Sequence, residues 1–171
     1  MSPLKFLRNV LEALTGATHP GELAGAAAMG MMIALIPKGN LLAQSLILIT
    51  FLLNVNAAMA GVSAAVFLLI TPLTDRIADP IGYALLVKAE GLRPFWTWLY
   101  NRPLLPWTAF NNTLVLGSFI LGLLLFLPVY VAAKRFVVWY QAVLHQKIMK
   151  WKIVQIIKAS SFFQWIYPSI S

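Results

Sequence analysis

Apolar residues in this chain fall into blocks rather than stripes. One block runs from Gly21 to Ile36 and a second from Leu41 to Leu53, with only Pro37, Lys38, Gly39 and Asn40 between them. Each predicts a helix that is apolar on all sides, the pattern of an element surrounded by protein or lipid. Neither is long: the first spans about 24 Å at 1.5 Å per residue, short of a hydrocarbon layer of roughly 30 Å. Pro37 and Gly39 therefore read as a structural break, joining either the two arms of a re-entrant hairpin or the two halves of a broken spanning helix. Backbone outside a helix is tolerated at membrane depth only when buried in protein or lining a wet cavity.

Upstream, Thr18-His19-Pro20-Gly21-Glu22 predicts a helix start, with Thr18 or His19 as cap and Pro20 at the first position. Residues 1–16 predict an interfacial amphipathic helix. Leu4, Leu7, Leu11 and Leu14 share one face, and no long apolar core or small-residue cleavage site marks a secretory leader. Downstream, a third apolar block from Ala57 to Thr71 follows Asn54 and Asn56 and is expected to close or kink at Pro72, a further break. Residues 73–89, carrying Asp75, Arg76 and Asp79, predict a separate amphipathic or partly inserted helix. Residues 91–110 hold Pro94, Pro103 and Pro106 among Trp96, Trp98 and Trp107, and predict an elbow anchored by those tryptophans at headgroup level. Thr113 to Ala133, opened by Asn111-Asn112, is the one block of full spanning length, and Lys134-Arg135 are expected to stop it. The whole reads as one domain: a broken-helix core over 20–90, the elbow, a spanning helix over 111–135, and a basic amphipathic tail over 136–171.

Composition settles the class that these blocks suggest. The chain is 60% hydrophobic and 11% charged, against about 45–50% and about 25% in soluble domains. The expected fold is therefore an all-α integral membrane protein. Net charge is +8, and Lys134, Arg135, Lys147, Lys150, Lys152 and Lys158 all follow the last long apolar block. In a soluble protein that excess would suggest nucleic acid. Here it predicts a cytoplasmic C-terminal side touching anionic phospholipid, in a multi-pass protein of a bacterial inner membrane, with no nucleic-acid partner.

Candidate chemistry is sparse. There is no cysteine, His19 and His145 are far apart, and no metal-ligand spacing, phosphate loop or nucleophile elbow occurs. No metal or cofactor is expected. Asp75 and Asp79 lie one helical turn apart, as a structural ion-pair site with Arg76 or as the acids of a membrane enzyme. Lys38 is the sharper candidate. A cation between apolar helices, beside the new helix N-terminus at Asn40 and with Gln44 one turn on, suits a lipid phosphate or another anion; equally, Lys38 snorkels from an interfacial turn. Asn54, Asn56, Asn111 and Asn112 are candidates for polar packing between helices.

The run HPGELAGAAAMGMMIALIPKGNLLAQ, with LNVNAAMAG and TPLTDRIADPIGYAL after it, resembles the small bacterial membrane proteins grouped as domain of unknown function 2062. Pro20, Gly30, Pro37, Gly39, Asn56 and Pro72 match that pattern, whereas Thr71 replaces its usual asparagine and Asn40 stands where glutamine is often found nearby. LYNRPLLPWTAFNNTLVLGS resembles a narrower subgroup of that family, restricted to bacteria with outer membranes and often encoded beside a large AsmA-like envelope protein. The resemblance implies a non-enzymatic inner-membrane subunit that docks such a partner and assists phospholipid transport toward the outer membrane. A small-solute or ion transporter acting as an oligomer, and a membrane enzyme on a lipid substrate, are the alternative expectations.

Overall fold

The computed structural model describes residues 19–53 and 55–144. The predicted helix of residues 1–16, the tail beyond residue 144 and Asn54 lie outside them. The described residues are all helical: α1 (Pro20–Leu35), α2 (Leu41–Leu52), α3 (Ala57–Tyr83), α4 (Arg93–Tyr100) and α5 (Thr113–Trp139), with short helical turns in the elbow.

Sequence dictates where these helices begin and end. His19 caps α1 with its carbonyl, accepting from Glu22 N (3.0 Å) and Leu23 N (3.3 Å), and Pro20 takes the first helical position. Ile36 leaves the helix with ψ 129°, because a residue that precedes proline is excluded from the α region. Asn56 caps α3 by accepting from Met59 N at 2.9 Å. Asn112 caps α5, accepting from Leu114 N (2.9 Å) and Val115 N (3.3 Å). Asn56 and Asn112, two of the asparagines expected to pack between helices, thus mark helix starts, because a short amide is well placed to satisfy orphan N–H groups at a helix end.

α1 is the central element, buried along nearly its whole length from Leu23 to Ile36. It packs between α3 and α5. Ser63 donates to the Ala27 carbonyl (2.7 Å) and Thr71 to the Ala34 carbonyl (3.5 Å), so α3 runs parallel to α1. α2 must therefore return between them, and residues 21–53 form a hairpin rather than one broken spanning helix. α5 runs antiparallel to both: Gly122 lies over Met32, and Gly117 lies against Ala78.

Small residues make this packing possible. A Cβ on Gly30 would sit 2.2 Å from the Ala60 carbonyl oxygen. A Cβ on Gly82 would sit 1.8 Å from the Thr113 carbonyl oxygen, and one on Gly117 1.8 Å from that of Ala78. Backbone meets backbone at these points, the close approach that small residues permit in apolar bundles.

Two expectations are corrected. Pro72 does not end or divide a helix: α3 runs unbroken from Ala57 to Tyr83 through Pro72 and Pro80, absorbing the separate helix expected over 73–89. Each proline removes one ladder bond, but both halves of α3 are fixed, the first on α1 at Ala60 and Ser63 and the second on α5 at Ala78 and Gly82. Threonine hydroxyls add bonds beside Pro72, Thr71 to the Phe67 carbonyl (3.1 Å) and Thr74 to the Thr71 carbonyl (2.9 Å). Nor do Lys134 and Arg135 stop α5, which continues to Trp139 and passes into a π-helical turn over Tyr140–Leu144. Cations interrupt an apolar run, but both are good helix formers.

The elbow is compact. A π-helical turn (Ala84–Lys88) leads into α4, and Trp96 Nε1 donates back to the Leu85 carbonyl at 2.9 Å. The Arg102 guanidinium lies 4.5 Å from the Trp98 ring centre. Leu104 and Ala109, both at positive φ (70° and 57°), flank the 3-10 turn Leu105–Thr108, which meets α2.

Candidate functional site

At the Pro37–Asn40 joint, each residue has a separate task. Pro37 ends α1. Lys38 folds back, its ammonium donating to the carbonyls of Ile33, Ala34 (3.2 Å) and Ile36 (2.8 Å). Gly39 takes φ +95°, a conformation open chiefly to glycine. Asn40 starts α2, its Oδ1 accepting from Ala43 N (2.9 Å) while its Nδ2 donates to the Pro37 carbonyl (2.7 Å).

Those bonds decide what Lys38 does electrostatically. The end of a helix leaves carbonyls unpaired and carries partial negative charge, and a cation there answers both. Partial burial over the helix end lowers the Lys38 pKa from the ordinary lysine value, an effect that disfavours the charged form. Its donors face the chain, and the Asn40 side chain already occupies one of the N–H groups that open α2. Gln44 lies exposed one turn along. Sequence brought Lys38, Asn40 and Gln44 together as an anion site; in the fold, the first two close the joint on itself.

A second feature lies lower on the bundle. The glycine contacts at Gly82 and Gly117 draw α3 and α5 together at the elbow end. Toward the other end a lateral groove of about 380 Å³ opens between these helices, floored by Ala27 of α1. Met59, Val62, Ser63, Val66 and Phe67 form one wall, and Val129, Ala132, Ala133 and Phe136 the other. Its lining is almost wholly apolar, and its polar atom, Ser63 Oγ, is held by the Ala27 carbonyl. Its described lining carries no acid, base or thiol. The sequence signal for it was the small residues of α1 and α3, which mark a packing face without saying whether that face is filled.

The two acids separate. Asp79 accepts a hydrogen bond from the Thr113 hydroxyl and ties α3 to the start of α5. Asp75 has one buried carboxylate oxygen, and α5 carries the buried Ser118 hydroxyl; neither has a hydrogen-bond partner among the described residues. Of the tryptophans, Trp98 and Trp107 are exposed, whereas Trp96 is half-buried and pins α4 to the π-helical turn. Asn111 is exposed. Among the described residues, no group of three His, Asp or Glu side chains is placed to hold a metal ion.

This architecture recurs in sequence. Over 145 residues the chain is 31% identical to an uncharacterized protein of Treponema pallidum (strain Nichols), covering 85% of this chain and 89% of that protein. The chain belongs to the family of that treponemal protein. No family model matches the chain, and no solved structure matches it.

Proposed function

We propose that the chain is a multi-pass subunit of the bacterial inner membrane that, without being an enzyme, docks the membrane anchor of a large AsmA-like envelope protein and assists phospholipid transport toward the outer membrane. The groove between α3 and α5 is the observation that carries this reading: it is apolar and open to the side. It sits within a broad exposed apolar surface. α3 and α5, with the turns that extend them, are long and apolar enough to cross a membrane, yet only 17% and 33% of their most apolar windows are buried. Leu69 is 82% exposed, Leu52 75% and Leu127 67%. Contiguous exposed apolar surface of this kind marks a lipid or protein contact.

The test is co-purification from mild detergent of this chain with the partner's membrane anchor, comparing wild type with Ala133→Leu, which fills the groove. The reading expects the anchor to travel with wild type and to be lost from the variant. An anchor that never co-purifies, or that binds the filled groove equally well, overturns it.

The alternative of a solute or ion transporter acting as an oligomer draws support from Asp75 and Ser118, each with a buried polar atom that has no partner among the described residues. Flux through proteoliposomes that disappears in Asp75→Asn would favour it; no flux across a broad solute panel would remove it.

A further inference from the structure

α5 carries a second surface about 120° round the helix from the groove, at 100° per residue. Arg135, Val138, Trp139 and Ala142 recur at i, i+3, i+4 and i+7 and so share one face, and together with Lys134 they line a shallow hollow of about 340 Å³. The two cations are exposed. Val138 and Trp139 are half exposed, and Phe136 is in ring contact with Trp139 (centres 6.1 Å apart) and Tyr140 (6.4 Å). The groove reading uses Phe136 at its edge and none of the five residues that line this hollow.

Its chemistry is of two kinds, joined edge to edge. The paired cations call for a negative group, while the adjacent valine, alanine and indole call for hydrocarbon. An acidic soluble partner would satisfy the first and leave the second wet. An anionic amphiphile satisfies both, and tryptophan beside lysine and arginine is the pairing that membranes favour at headgroup level. The opposing charge on this end is small: α1 begins here, with Leu23 packed on Val137, and of the described acids only Glu22 belongs to that first turn.

We propose that this face binds an anionic glycerophospholipid, its acyl chain along the hollow that Val138, Trp139 and Ala142 line and its phosphate at the rim, within reach of the exposed Lys134 or Arg135 head. The proposal rests on the membrane reading above and deepens it by naming the lipid class. It predicts that the chain carries anionic lipid on a surface separate from its groove.

The test uses the full chain in nanodiscs of equal phosphatidylglycerol and phosphatidylcholine, with bound lipid counted by native mass spectrometry after release. Phosphatidylglycerol should be retained in preference. Lys134→Gln/Arg135→Gln should lose that preference by roughly tenfold or more, since each cation near an anionic surface contributes about fivefold. Lys88→Gln/Arg102→Gln, at the elbow end, should keep it. Equal retention of the two lipids in wild type, an undiminished preference in the α5 variant, or full displacement by inorganic phosphate would each overturn the proposal. Circular dichroism of both variants shows that they fold. If instead the chain fails to enter nanodiscs and washes from membranes at alkaline pH, it is the membrane reading that fails.

Discussion

Lys38 shows how a residue can be conspicuous in sequence while its partners stay hidden. Its isolation among apolar residues signals importance, but nothing in the chain's order reveals that its ammonium turns back onto three carbonyls. Pro37 and Gly39 were legible because their effects are local: one excludes helix from its predecessor, the other permits φ +95°. Two consequences follow at this scale. Gly39→Ala places a side chain in that left-handed conformation and should cost about 1 kcal/mol, read as a lower thermal midpoint in detergent micelles. Lys38→Met keeps the apolar stem but leaves the end of α1 uncapped, and should cost about 1–2 kcal/mol without weakening lipid binding. A Lys38→Met protein as stable as wild type but depleted of bound lipid would restore the anion-site interpretation.

Among the elements, α1, α2 and the start of α5 were readable within a residue or two, since their ends carry proline, asparagine and abrupt apolar runs. α3 was not. Pro72 followed by Asp75, Arg76 and Asp79 has the local pattern of a helix end, and what overrides it is contact remote in sequence. Gly82, unmarked in its own neighbourhood, meets the start of α5, and Gly117 meets Ala78. This contact predicts a contrast between two glycines of one helix. Gly117→Ala drives a methyl group into the Ala78 carbonyl and should destabilise the protein by about 1–3 kcal/mol. Gly122→Ala meets Met32 at ordinary contact distances, 3.5 Å at the nearest side-chain atom and 3.9 Å at its Cα, and should change stability far less. Comparable thermal midpoints for the two variants would show that α3 and α5 do not touch as described.

Over the whole molecule, the apolar character of the surface was evident from composition, whereas the groove was not, because it arises from the divergence of two helices held together at one end only. The topology makes a further prediction. α5 runs opposite to α1, so Lys38 and Lys134 stand at opposite ends of the bundle. In a membrane, single cysteines introduced at these positions should react with an impermeant reagent from opposite sides, position 134 from the cytoplasm. Labelling of both from one side would contradict either the orientation of α5 or the membrane reading.

α2 is the short leg of this bundle, twelve residues or about 18 Å of helix. Its outward residues, Leu48, Phe51 and Leu52, are left bare by the chain. Against a hydrocarbon layer of roughly 30 Å such a leg is mismatched, and surrounding lipid adjusts by thinning at a cost of fractions of a kcal/mol per ångström. The hairpin that Pro37 and Gly39 create therefore does more than reverse the chain. In the membrane proposed for this chain, the short leg would set a local dimple in the bilayer on one flank of the protein, where a headgroup would have less hydrocarbon to cross.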